Sequence, residues 1–354
     1  MIKKLFCAAI LAGALIACSK NDDVNSAESK LEKTTIRLNV GPYEVFTKAT
    51  GELNDDVQSM DSIYLLEAFV FRPDGVLESY RRYGISEMNL VGRNNLPLEV
   101  TPGEKDIYLV ANSKTNSWTG VTTRDKFLVQ DADLKKERFG YFTMSKSLKI
   151  DPDTVTVPIK VTLQRLVSKI VVNSIRTKFV RTPYEGMTLK NAKLYLTNVI
   201  GRKTYMSEDP QIPLILNYKG YNADDVANPA LSSMFSENVH TQVGESGYTT
   251  RQYFYCYENL LAEETTTDLF TRLVLQADLD GNTYYYPIDI NQPGYGWTAP
   301  SGQKGVKRGT IYTYDIVISG PGSDDPESKI TRKSIVLDAD AESFTEGPSF
   351  TATF

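Results

Sequence analysis

Apolar and polar residues alternate with a period of two along almost the whole chain. This constrains the fold more than any other feature, because only extended backbone sends successive side chains to opposite faces. Thr35 to Val40 puts Ile36, Leu38 and Val40 on one face and Thr35, Arg37 and Asn39 on the other. Val155, Val157, Ile159, Val161 and Leu163 alternate in the same way with Thr156, Pro158, Lys160, Thr162 and Gln164. Pro158 has no N–H to give to a ladder, which predicts an edge or a bulge at that point. In Ile311 to Ser319, Tyr312, Tyr314, Ile316 and Ile318 share a face. Ile63 to Phe71 and Ile107 to Ala111 are apolar on both faces, the pattern of strands covered on both sides. Leu269 to Ala277 and Thr283 to Ile290 flank Asp280-Gly281, a hairpin signal.

Helical signal is weak. Asp131 is placed to cap a short helix through Leu134 and Arg138 that Gly140 would stop, and Asn259 to Leu269 has room for a turn or two. The chain has 354 residues, with 23 Gly and 16 Pro to punctuate its many strands. The expected fold is all-β: two packed antiparallel β-sandwich domains with few short helices. The boundary falls near 160–180, so that 49–165 would form an N-terminal sandwich and 166–354 a C-terminal one.

Residues 1–17 read as an address and stand outside the fold. Lys3 and Lys4 precede an apolar run from Leu5 to Leu15. That run is shorter than the roughly 20 residues of a membrane span and fits a secretory signal. It ends Leu15-Ile16-Ala17-Cys18, which resembles a bacterial lipobox. Cleavage before Cys18 would leave that residue lipidated, and each buried acyl methylene contributes about 0.8 kcal/mol to anchoring. An ordinary signal with an incidental cysteine is the competing reading. Residues 18–48 would then hold a tether and a removable first strand. The acidic start of the tether, Ser19-Lys20-Asn21-Asp22-Asp23, resembles the surface-export signal of lipoproteins in some Gram-negative anaerobes. Of 3 Cys, Cys7 leaves with the signal and Cys18 is the acylation site, so Cys256 has no internal partner and reads as a buried small hydrophobe.

Little chemistry is legible. With one histidine, His240, most His-based metal sites, Cys–His dyads and Ser–His–Asp triads are excluded. A net charge of -5 gives no general attraction to nucleic acid. Asp278 to Asn282 lacks the ligand spacing of a calcium loop, and Gly320 to Pro326 lacks the Lys of a phosphate loop. No catalytic residue, metal ligand or cofactor is expected. Trp118, Tyr295 and Trp297 lie near turns, either as sandwich-end packing or as a sugar-stacking platform. The second possibility keeps a glycan-binding surface lipoprotein as an alternative.

The two ends carry the sharper pattern. Ile335 and Leu337 lie in a short apolar run, and Phe350, Ala352 and Phe354 alternate with polar residues to the last position. The first amphipathic strand follows the tether and precedes a polar loop containing Lys48-Ala49, a candidate proteolytic site. A cut there would let Ile36, Leu38 and Val40 depart and open a slot. A neighbour's terminal strand, with Ile335, Leu337, Phe350, Ala352 and Phe354 as donor face, could fill it by β-strand addition. Head-to-tail repetition of such a contact gives an open filament. Two ordinary edge strands in a monomer would show the same pattern.

Val306 to Tyr312, continuing through Ile316 to Gly322 and Asp325-Pro326, resembles the fimbrillins, the type V pilin family of major fimbrial subunits. Arg165 to Ile170, Tyr257-Glu258-Asn259 and the lipobox with its tether add to the resemblance. It implies two transthyretin-like β-sandwich domains, export as an outer-membrane lipoprotein, and removal of the lipidated segment after a basic residue, which falls at Lys48-Ala49. The family's familiar cut follows Arg, and its last strands often carry a Trp that this tail lacks. The implied partners are other copies of the chain, accessory fimbrial subunits, the outer membrane through the precursor's lipid, and a host protein or glycan receptor. Nucleic acid is not among them. A shaft subunit is expected, with a tip or anchor subunit as the alternative within the same class.

Overall fold

A computed structural model of the protein describes residues 32–42, 63–115, 117–206, 213–226, 236–239, 241–293, 304–330 and 335–343. The expected all-β sandwich fold is what it shows. The first half contains β1 (Thr34–Pro42), β2 (Leu65–Phe71), β3 (Leu77–Gly84), β4 (Leu96–Val100), β5 (Lys105–Ala111), β6 (Asp131–Asp133), β7 (Met144–Ile150) and β8 (Ile159–Arg165). Seven of these follow the order β3-β2-β5-β7-β8-β1-β4. The corner lies between β7 and β8, where Met144 pairs with Arg165 and Ser145 with Gln164. The two arms then face each other. Ile36, Leu38, Val40, Leu96, Leu98, Val100, Val161 and Leu163 share a core with Leu66, Ala68, Val70, Ile107, Leu109 and Ala111. Every strand contributes alternate residues, which is the period-two pattern expressed as packing.

The other face of β2 is covered as well, which is why that run is apolar throughout. Phe69 and Phe71 lie under Phe127, with Trp118 edge-on to Phe69 at 4.8 Å. Phe127 comes from a five-residue helix, α2 (Arg124–Leu128), and a second short helix, α1 (Ile85–Val91), follows β3.

The second half contains β9 (Val167–Thr177), β10 (Lys190–Thr197), β11 (Val199–Ile200), β12 (Arg202–Thr204), β13 (Ile215–Leu216), β14 (Ser236–Asn238), β15 (Gln252–Tyr257), β16 (Arg272–Leu279), β17 (Asn282–Asp289), β18 (Thr310–Ile318) and β19 (Ile335–Ser343). They build two four-stranded sheets, β14-β10-β16-β17 and β15-β9-β18-β19. Tyr312, Tyr314, Ile316 and Ile318 are buried, as their shared face requires. Asp280 and Gly281 both have positive φ (51° and 80°), the conformation a two-residue hairpin needs.

The two halves are welded. One buried cluster runs from Phe69, Phe127 and Phe142 into Leu194, Phe254 and Tyr314. β6 pairs with β12 across the junction. Arg308 is buried there and donates to the Gln164 carbonyl and the Ser145 hydroxyl, each at 3.0 Å. Glu137 is buried at the same junction, accepting from the Thr143 N–H at 3.0 Å and the Tyr257 hydroxyl at 2.8 Å. Burial holds its carboxyl above the usual carboxylate range, against Lys114, Thr143 and Tyr257, which favour the anion. A raised folded value means that the folded state holds the proton more tightly. The stability this contributes is present below the unfolded value, about 4.3, and is lost as pH rises through the folded value. Glu137→Gln removes this dependence. The melting-temperature advantage of the native chain over the variant should therefore grow as pH falls from neutral towards 4.5. An advantage that does not change with pH would refute it.

Several expectations need correction. The sheets are mixed: β1 runs parallel to β8, and β18 parallel to β9. Side-chain alternation is identical in both pairings and could not separate them. β8 starts at Ile159, immediately after Pro158, and lies between β7 and β1 instead of at an edge. Val155 closes a 3-10 turn at Pro152–Thr154, and Val157 is 70% exposed. Asp131 starts β6 instead of a helix; the pairing with β12 overrides the local cap signal. Asp133 caps the 3-10 turn that follows, accepting from the Lys135 N–H at 2.9 Å. Asn259 to Leu269 is loop, pinned where Asn259 exchanges backbone bonds with Val306 and its side chain donates to the Leu269 carbonyl at 2.9 Å.

A candidate strand-exchange groove

β1 is the middle strand of β8-β1-β4. It is antiparallel to β4, with Ile36 opposite Leu98 and Leu38 opposite Leu96. It is parallel to β8, with Leu38 opposite Ile159 and Val40 opposite Val161. Ile36, Leu38 and Val40 are 3%, 0% and 2% exposed, so the three residues read from the sequence as a plug do face the core together. Burial of the three side chains contributes on the order of 5–9 kcal/mol. Each ladder bond adds about 0.5–1.5 kcal/mol.

The outward side of β1 is weakly held. Thr35 and Arg37 are exposed. Lys33 meets Glu99 at 3.8 Å with both side chains more than half exposed, a pair worth little in water. Without β1, two strand edges would lose their partners, and a slot would open above Leu66, Ala68 and Val70, walled by Leu96, Leu98, Val161 and Leu163. The chemistry of that slot is narrow. Its apolar lining matches an extended segment with apolar side chains at every second position, which is what β1 supplies.

At the other end, β19 is an edge strand paired with β18 of the same chain. Ile335 is fully buried opposite Ile318, and Leu337 stands opposite Ile316 in the register. Cys18, Lys48, Ala49, Phe350, Ala352 and Phe354 lie outside the described residues, as do His240, Tyr295 and Trp297. Trp118 is described, and it serves packing. Its indole N–H donates to Glu67 at 2.8 Å, and its ring lies 5.5 Å from that of Tyr205.

Cys256 is buried, and burial pushes its thiol far above the ordinary range, the state of an inert hydrophobe. Asp278 accepts from Thr283 at 2.6 Å and Asn191 at 2.7 Å, so it is committed to local hydrogen bonds. Among the described residues no group of three or more His, Cys, Asp or Glu is arranged to hold a metal ion. No helix among them is long and apolar enough to cross a membrane.

No protein-family sequence model matches the chain, and no curated protein sequence does. Solved structures do match. A candidate cell-adhesion protein from Parabacteroides distasonis aligns with a TM-score of 0.61 at 17% identity, covering 86% of this chain and 95% of that one. A fimbrilin from Porphyromonas gingivalis W83 aligns with a TM-score of 0.59 at 15% identity, covering 88% and 97%. A tip fimbrial protein from Porphyromonas gingivalis, solved with its C-terminus truncated, aligns with a TM-score of 0.50 at 15% identity, covering 88% and 99%. Likeness at this level of identity is likeness of architecture: the chain has the fold of a fimbrilin and of a fimbrial tip protein.

Proposed function

We propose that the chain is a structural pilin, the subunit of a surface fimbrium. It is exported as an outer-membrane lipoprotein through Cys18, cut at Lys48-Ala49 and polymerised head to tail by donor-strand exchange. One observation carries the reading: β1 is an interior strand by pairing but the first in sequence among the described residues, all of whose other elements follow it. After a cut in 43–62, the segment bearing β1 is held only by non-covalent contacts. In an exposed interior strand of any ordinary sandwich, such a cut would leave an unpaired slot. Here the slot is the binding site for the next subunit, with 49–165 and 166–354 as the two domains.

The donor is the tail of another copy, through Phe350, Ala352 and Phe354, with Ile335 and Leu337 released from the β18–β19 ladder. The alternating apolar pattern of Phe350, Ala352 and Phe354 favours a shaft position over a tip, which need not donate onward. Accessory subunits of the same fold would occupy the ends of the polymer. The role calls for neither cofactor nor catalytic residue.

Sequencing the N-terminus of protein sheared from cells tests the reading directly. The expected mature start is Ala49, in material that runs as SDS-resistant ladders. Sheared protein that begins at Cys18 and runs as a monomer would overturn the reading and favour a tethered surface lipoprotein.

A further inference from the structure

Away from the slot lies a second concave surface. Arg82 on β3, Lys114 just after β5, and Lys136 and Arg138 after β6 converge on a cleft of about 800 Å³ that Tyr64, Ser113, Thr115 and Tyr141 also line. None of these residues lies on β1, β4 or β8. Among the described residues no carboxylate lines the cleft, and none of its four cations makes a salt bridge. In a chain of net charge -5 that is a local inversion of sign.

Two carboxylates lie behind the wall; both accept hydrogen bonds from other groups, and Glu137 also attracts Lys114. Glu67 accepts from Tyr80 at 2.7 Å, Trp118 at 2.8 Å and Ser113 at 2.5 Å. Glu137 accepts from Thr143 and Tyr257. Lys114 is fixed in place. Its ammonium donates to the Tyr141 carbonyl at 2.7 Å and the Asn112 carbonyl at 3.0 Å. Burial lowers its proton affinity; the Glu137 carboxylate offsets this only in part, and Arg138 adds to it, so an anion in the cleft would relieve what remains. The floor is aromatic: Tyr64 and Tyr141 meet edge to face at 5.4 Å, and Tyr141 remains 47% exposed.

We propose that this cleft binds an acidic oligosaccharide, with the cations of Arg82, Lys114, Lys136 and Arg138 on a carboxylate or sulfate and a tyrosine ring against the sugar's C–H face. The combination of features selects this class. A neutral sugar makes no use of the four cations that converge here. A simple inorganic anion makes no use of the aromatic floor or of a volume in the range of small-molecule sites. Guanidinium groups match planar or tetrahedral oxyanions by paired hydrogen bonds. The proposal does not depend on strand exchange.

Titration calorimetry with the full chain tests it, using 3′-sialyllactose, digalacturonate and a heparin-derived tetrasaccharide as probes and lactose as the neutral control. At least one acidic probe should bind saturably and lactose should not. The affinity should fall by about tenfold or more in the Arg82→Ala/Arg138→Ala double variant, and by several-fold in Tyr141→Ala at unchanged melting temperature. Failure of all three probes overturns the proposal, as does binding that the variants leave intact. A peptide of residues 338–349, acidic in sequence, serves as competitor. Tighter binding of that peptide than of any sugar, insensitive to Tyr141→Ala, would replace the saccharide with the tail of a second copy.

Discussion

Fimbriae are expected to be absent from cells whose subunits carry Phe350→Asp or Phe354→Asp, while the purified monomer melts at its usual temperature. The slot vacated by β1 is apolar on its floor and both walls, and Leu96, Leu98, Val161 and Leu163 carry no group that could pair a carboxylate. An aspartate placed there loses about 1.5–3 kcal/mol of side-chain burial. It also adds the larger cost of an unpaired buried charge. Since 1.4 kcal/mol is tenfold in affinity, each junction weakens by at least a thousandfold, and a fibre is a product of many junctions. The assay is the SDS-resistant ladder from sheared cells beside the melting curve of the monomer. Ladders of normal length would show that the tail is not the donor. Leu337→Asp then asks whether the donor face lies nearer β19.

Arg272→Met should destabilise the monomer by about 3–5 kcal/mol, the usual result of removing one partner from a buried ionic cluster. The Arg272 side chain is 2% exposed and meets Asp289 and Glu264 at 2.6 Å and Glu327 at 2.7 Å. Methionine fills much of the volume but leaves the three carboxylates without the guanidinium that pairs them, with only Lys329 acting on Asp289. Burial already holds Asp289 and Glu327 above the usual carboxylate range. Without the guanidinium their folded values rise further. Carboxyls raised in this way favour folding below their unfolded value and oppose it as pH climbs through the folded one. The deficit of the variant should therefore be largest near neutrality and shrink towards pH 5. Melting curves at pH 5 and pH 7.5 decide it; an equal deficit at both would mean that the loss is one of packing.

Legibility tracked how far a residue's role depends on its own neighbours in sequence. The shared face of Ile36, Leu38 and Val40 is plain in the sequence because they are spaced by the pleat itself, and they are buried as a set. The hairpin at Asp280-Gly281 was plain because its turn conformation is local. The direction of β8 beside β1 was hidden, since alternation has no sense of direction. α2 escaped notice because five residues cannot show a helical period; its signal was Thr123, whose hydroxyl accepts from the Lys126 N–H. Lys135-Lys136-Glu137-Arg138 reads as a solvated run of charge. The fold drives Glu137 into the junction and leaves Lys136 and Arg138 on the cleft, a split that sequence spacing does not encode. The cleft draws on positions from 64 to 141 and has no motif at all.

The opposed directions of β4 and β8 on either side of β1 bear on what a cell could build from this subunit. A guest strand reproduces both ladders in one orientation only; reversed, it would meet each flank with the wrong hydrogen-bond geometry. Every link would point the same way, giving the thread a distinct head and tail. One extremity would present an open slot and the other an unused donor, and a single non-donating copy would stop growth at the second of these alone.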